Sequence, residues 1–248
     1  DSSQMEIYDG NQWVGILATS PKFETGGARG LIMGGITSGR TNLVTFITIN
    51  TTGDAADFGD LVQTASQGAG LGSRTRAIAA GGTPSSPGGT NNIDFHEFAS
   101  KGNFNDFGDM VTTGFARVAV SNSTRGLFMG RAVAPAAYNN IEFVTIASTG
   151  SANDFGDCTG GRQEAGAAGN ATRGIVLGGN PNNTTMDVVN IPTTGNAADF
   201  GDCSVAIWNT RGGNCGNAVR GLIAGGEPGA SNTIQFVTIP TNGNTTDF

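Results

Sequence analysis

A seven-residue phrase returns five times along the chain, and its spacing leaves little freedom in the fold. It reads Arg29-Gly-Leu-Ile-Met-Gly-Gly, Arg76-Ala-Ile-Ala-Ala-Gly-Gly, Arg125-Gly-Leu-Phe-Met-Gly-Arg, Arg173-Gly-Ile-Val-Leu-Gly-Gly and Arg220-Gly-Leu-Ile-Ala-Gly-Gly. Successive arginines stand 47, 49, 48 and 47 residues apart. A polar loop follows each phrase, then an apolar run such as Leu43-Val-Thr-Phe-Ile-Thr-Ile or Ile141-Glu-Phe-Val-Thr-Ile. A glycine turn comes next (Gly53, Gly102, Gly150, Gly195, Gly243), then Asp-Phe-Gly-Asp at 57–60, 106–109, 154–157 and 199–202; the fifth copy ends at Asp247-Phe248. A repeat that spans nearly a whole chain outranks every other fold signal, because each unit must solve the same packing problem.

Each unit reads as strands. The apolar runs are short, rich in β-branched and aromatic residues, and separated by Gly, Asn, Thr and Pro. No stretch holds a helical apolar period. A short Gly/Ala strand precedes each arginine, as in Gly68-Ala-Gly-Leu-Gly and Arg117-Val-Ala-Val-Ser. Four strands per unit describe a propeller blade, with small residues nearest the axis, where room is least. The fold class expected is therefore all-β: a single-domain, five-bladed β-propeller made of residues 29–248. The unit counted from Arg220 stops early, so residues 1–28 are expected to supply its missing strands and to close the ring by pairing into the last blade.

Composition narrows the function classes. With 41 Gly and 8 Pro in 248 residues the chain is glycine-rich, but no period of three points to collagen. The net charge is -7 with only two lysines, Lys22 and Lys101, which argues against a nucleic-acid or anionic-membrane partner. The richest apolar stretch, Leu43 to Ile49, is far too short for membrane insertion. Three cysteines without C-x-x-C spacing indicate neither a disulfide framework nor a zinc site. Cys158 and Cys203 take the place held by Leu61 and Met110 in other units, which marks them as small core residues.

The double glycine after an apolar strand, followed by a strand with an aromatic and a second aromatic before the next unit, resembles the kelch repeat of β-propellers. Phe stands here where kelch carries Tyr and Trp, and one double glycine is Gly130-Arg131. The wording Arg-Gly-Leu-Phe-Met-Gly…Asn-Ile-Glu-Phe-Val-Thr-Ile…Asn-Asp-Phe-Gly-Asp is similar to kelch-like repeats in virion and tail-fibre proteins of marine bacteriophages. The opening Ser2 to Val14 resembles a strand–turn–strand segment of phage appendages. The resemblance implies a tail-fibre or decoration module in an extracellular virion. It also implies other virion proteins as partners and a homotrimer assembled through flanking regions.

Candidate sites follow from the same alignment. The ring arginines Arg29, Arg76, Arg125, Arg173 and Arg220, with Asp60, Asp109, Asp157 and Asp202, are expected to form structural Arg–Asp or Arg–carbonyl contacts between strands or blades; five equivalent ligand sites are the alternative. The repeated Asp-Phe-Gly-Asp phenylalanines are read as blade-to-blade core. The loops after the double glycine vary most and should share one face. Arg40, Asn91, Tyr138, Asn182, Trp208 and Glu227 are the ligand-binding candidates there, for a host cell-surface glycan or protein. The Asp-Phe-Gly copies lack the other kinase motifs, and the single histidine, His96, lies in an apolar run, so triad chemistry has no base. The Asp/Asn turns read as Asx turns more readily than as Ca²⁺ loops. Neither a cofactor nor a catalytic residue is expected; paired carboxylates keep a glycan-degrading enzyme as the remote alternative.

Overall fold

The computed structural model describes residues 5–8, 12–16, 29–84, 88–181, 184–210, 214–229 and 231–248. All regular structure among them is β. The molecule is a five-bladed β-propeller built from five small antiparallel sheets. Blade 1 contains β3 (Arg29–Ile36), β4 (Arg40–Thr48) and β5 (Ala56–Asp60). Blade 2 contains β6 (Ala69–Gly72), β7 (Arg76–Ala80), β8 (Thr90–Glu97) and β9 (Asn105–Gly114). Blade 3 follows with β10 (Val118–Ser121), β11 (Arg125–Val133), β12 (Ala136–Thr145) and β13 (Asn153–Asp157). Blade 4 holds β14 (Gly166–Gly169), β15 (Arg173–Leu177), β16 (Thr185–Asn190) and β17 (Ala198–Asp202). Blade 5 holds β18 (Asn214–Gly216), β19 (Arg220–Ala224), β20 (Ile234–Thr238) and β21 (Thr246–Asp247). Strands pair in chain order within every sheet.

The last blade takes all four of its strands from Asn214–Asp247, which corrects the expectation that the N-terminal segment would complete it. In blades 2 to 5 the inner strand precedes the arginine, so a unit counted from Arg220 only looked short. Within the N-terminal segment, β1 (Met5–Tyr8) and β2 (Trp13–Ile16) pair with each other as a separate hairpin. Among the described residues, blade 1 is the three-stranded one. Residues 17–28 lie outside the described residues.

The second strand of an inner blade is covered on both faces, and the sequence reflects it. Leu127, Phe128 and Met129 in β11 are all buried, because blades 2 and 4 each cover one face. A strand flanked by two blades therefore reads as a continuous apolar run. The glycine after the repeated arginine has a related cause. A Cβ on Gly126 would stand 2.5 Å from Leu71 of the preceding inner strand, and one on Gly221 would stand 2.3 Å from Ala168. The second strand there lies close against the preceding blade's inner strand, leaving no room for more than a very small residue; blade 2 carries Ala77, buried, at the same place.

The Asp-Phe-Gly-Asp motif joins the blades. In blades 1 to 4 the register skips its Phe at a β-bulge: Ile141 faces Gly156 while Glu142 faces Asp154. The bulge turns Phe58, Phe107, Phe155 and Phe200 into clusters shared with the following blade. Their carbonyls accept the N–H groups of Gly102, Gly150, Gly195 and Gly243 in that blade at 2.7–2.9 Å. The motif's glycine lies so close that a Cβ on Gly108 would be 2.6 Å from the Gly150 carbonyl carbon.

Candidate binding face

The loops after the double glycine all leave the same end of their blades, and backbone contacts hold them there. Isolated bridges tie those of blades 2 to 5 to the chain entering the inner strand: Ser66 with Thr83, Phe115 with Ala132, Gln163 with Asn180, Trp208 with Glu227. The next residue in each case, Gln67, Ala116, Glu164 or Asn209, has φ between 55° and 60°. These four link head to tail, with Ala116 N–H on Gln67 O, Glu164 N–H on Ala116 O and Asn209 N–H on Glu164 O, at 2.8–2.9 Å. A left-handed backbone at four non-glycine residues is tolerated because each junction fixes it from both sides. Three of them, Gln67, Ala116 and Glu164, line a central cavity of about 890 Å³, whose lining also includes Leu31, Ala119 and Cys215, so that all five blades contribute.

The ligand-binding candidates are scattered around this end. Arg40 is exposed and donates from Nε to Ser66 Oγ at 3.1 Å. Tyr138, 37% exposed, lies under the Arg131 guanidinium at 3.8 Å. Trp208 and Glu227 are the one pair brought together, through two backbone bonds of 2.8 and 3.2 Å. The Glu227 carboxylate accepts the Gly229 N–H. Asn91 is half-buried within β8, and Asn182 lies outside the described residues. The face therefore offers polar and aromatic groups from separate blades, suited to several weak contacts.

The ring arginines form a second set. Arg29, Arg76, Arg125 and Arg173 donate to the carbonyls of Phe98, Ile146, Ile191 and Ile239, each in the next blade, at 2.5–3.3 Å. All five stack on phenylalanines, Arg29 on Phe46, Arg76 on Phe95, Arg125 on Phe143, Arg173 on Phe200 and Arg220 on Phe236, at 4.5–5.2 Å. The Arg–Asp form of the expected ring does not occur among the described residues. Asp109, Asp157 and Asp202 are exposed and Asp60 half-buried; their backbone N–H groups, not their carboxylates, meet the next blade, at Asn103, Ser151, Asn196 and Asn244. The bulge aims the carboxylates outward, and the carbonyls at the next blade's strand ends lie nearer to the arginines.

A comparison with known protein-family models and with curated proteins finds no match to this chain.

Sequence reasoning missed a third recurring position. Asp94, Glu142, Asp187 and Gln235 follow Ile93, Ile141, Met186 and Ile234 in the third strand, and all are buried. Each accepts an N–H from the preceding blade, from Val62, Val111, Thr159 and Ser204 respectively, at 2.8–3.0 Å. The signal was the acidic or amide residue recurring inside an apolar run. Arg162 pairs with Asp187 at 2.9 Å, and Arg117 with Glu142 at 3.5 Å, all four side chains being withdrawn from water. Desolvation lowers the Arg117 pKa to about 10, against the opposing pull of Glu142. Among the described residues Asp94 meets no arginine and its Oδ1 has no hydrogen-bond partner; burial raises its pKa to about 6.

His96 and two motif aspartates make local contacts. His96 Nδ1 lies 2.9 Å from the Glu97 carbonyl, with the ring packed between Phe58 and Phe104. Asp106 and Asp199 accept the N–H two residues on, from Gly108 and Gly201, in Asx turns. No group of three or more His, Cys, Asp or Glu able to hold a metal ion occurs among the described residues.

Proposed function

We propose that this chain is a non-enzymatic module of a virion appendage, a tail fibre or surface decoration, that attaches to the host surface by multivalent adhesion. One observation carries the reading: backbone contacts from blade to blade hold loops of unlike sequence at one end, beside the mouth of a central cavity. A rigid scaffold with variable loops on one face is a common recognition layout. The likeness of the repeats to kelch-like repeats of phage appendages supplies the context. The acidic balance favours a neutral glycan or a protein as the receptor over an anionic polymer.

A purely structural virion role is the second reading. What favours it is that the recurring arginines and buried carboxylates all serve blade junctions. The enzyme reading draws no support from the buried carboxylates, since Glu142 and Asp187 are held by arginines and backbone N–H groups.

Binding of the protein, displayed in many copies on beads, to host cells and to a glycan array tests the proposal. Adhesion should fall at least tenfold for Tyr138→Ala combined with Arg40→Ala, with folding unchanged. Absence of any cell or glycan binding would leave the structural role; release of sugar products would establish an enzyme.

A further inference from the structure

Arg131 breaks the repeat at one position, and the break places a cation on the loop face. The second glycine of the double-glycine phrase is Gly35, Gly82, Gly179 and Gly226 in the other four blades, each with φ between 98° and 125°. Blade 3 carries Arg131 there, inside strand β11. Its neighbour across the β11–β12 hairpin is Tyr138, and Ala132–Ala137 and Val133–Ala136 continue the ladder toward the tip. Directly opposed side chains of an antiparallel pair share one face of the sheet, which brings the guanidinium over the phenol ring at 3.8 Å.

Other contacts fix the guanidinium. Its Nε donates to Asn140 Oδ1 and its Nη1 to the Thr113 carbonyl of blade 2, both at 3.2 Å. The hairpin beneath is tied down as well: Arg131 N–H donates to Arg162 O at 3.0 Å, and Phe115 and Ala132 exchange backbone bonds of 2.8 and 3.1 Å. The remaining nitrogen, Nη2, has no hydrogen-bond partner among the described residues, nor has Asn140 Nδ2, and neither is sealed from water. The ion pairs among the described residues are Arg76–Glu97, Arg117–Glu142 and Arg162–Asp187, and Arg131 belongs to none. Asp157, which faces Asn140 in the register of β12 and β13, does not close a pair with it. An arginine already ordered and stacked loses little freedom on binding, so its open N–H groups form a prepared oxyanion site.

We propose that Arg131, Tyr138 and Asn140 bind a carboxylate-bearing sugar, an acidic residue of a host-surface glycan. The guanidinium receives the carboxylate, Asn140 Nδ2 donates to a hydroxyl of the same ring, and the exposed part of Tyr138 covers its C–H groups. An aromatic and an amide beside the cation suit a sugar better than an acidic protein side chain, which would use the arginine alone. The net charge of -7 opposes a polyanion over the whole surface, whereas one carboxylate on an otherwise neutral glycan meets this local cation. The inference deepens the adhesion reading and rests on it for the role of the face; the binding itself is measured without cells.

NMR titration of the full chain with sodium glucuronate tests it, read at the Arg131 Nε–H and the Tyr138 ring. Both signals should shift and saturate in the range of about 1–10 mM. Glucose, which lacks the carboxylate, and acetate and N-acetylglutamate, which lack the sugar, should each bind at least about tenfold more weakly. Arg131→Gly installs the residue of the other four blades; it should leave the amide spectrum of those blades unchanged and lose glucuronate binding, read at Tyr138. Arg131→Lys keeps the charge without the planar fork and should weaken binding about tenfold. Cell adhesion separates this site from the reading it rests on. Adhesion by a wild type that ignores glucuronate overturns the site and leaves the adhesion module standing; glucuronate binding without adhesion supports the site and overturns the role given to the face. No shift with glucuronate, or an equal response to glucose, acetate or N-acetylglutamate, would overturn the proposal.

Discussion

The Arg162 guanidinium meets the Asp187 carboxylate at 2.9 Å with both side chains shut off from water. Arg162 also donates to the carbonyls of Thr185 and Gly178, and Asp187 accepts the N–H and hydroxyl of Thr159 in the neighbouring blade. The pair is thus a joint between blades 3 and 4. Arg162→Met leaves a buried carboxylate without its cation and should cost about 3–5 kcal/mol. Denaturant unfolding should show a lower midpoint, and Arg162→Met/Asp187→Leu should recover part of the loss.

Asp94 occupies the same place in blade 2 without an arginine. Its pKa rises from an ordinary 3.8 to about 6, chiefly through burial. The folded state then holds a proton that the unfolded chain has released, so this group's contribution falls as pH rises from about 4 to about 6. The difference in unfolding free energy between wild type and Asp94→Asn should change across that window and be flat above it. A difference independent of pH would contradict the assignment.

Gly108 shows what the outer-strand glycine does. A methyl group there would strike the Gly150 backbone, at a φ of 141°. Gly108→Ala should therefore destabilise the protein by more than ~1 kcal/mol, read as a drop in melting temperature.

Arg125 donates to Ile191 O at 3.3 Å and stacks on Phe143 at 4.5 Å, partly exposed. Arg125→Ala should cost about 1–2 kcal/mol and leave cell or glycan binding unchanged. Unchanged stability with lost binding would make it a ligand residue instead.

The thiols divide by burial. Desolvation holds Cys158 and Cys203 at about 12, while Cys215 is exposed. A thiol reagent at pH 8 should label one cysteine of three on the native protein, and mass mapping should place it at Cys215.

Much of this architecture was legible before the fold was known, because a repeat reports local pattern directly. The strand content, the blade count and the small residues of the inner strands follow from spacing and residue size. The recurring phenylalanines read as core for the same reason. The site was less legible. Asp94, Glu142 and Asp187 are written into apolar runs, where a single acidic residue looks like the polar half of an alternation. Arg117 and Arg162 reach them from different places in their units, so no alignment of repeats exposes the pairing. The ring aspartates misled because adjacency in sequence to a core phenylalanine says nothing about which way a bulge turns the next side chain.

The amino-acid sequence by itself determined the unit and its number, since each unit's strands and turns depend on residues close together in the chain. Only the tertiary structure decided which carbonyl each arginine reaches, which carboxylate is buried with a cation, and which way each bulge turns its phenylalanine. Those outcomes depend on how one blade meets the next, and that meeting is governed by backbone approach across residues some four dozen positions apart.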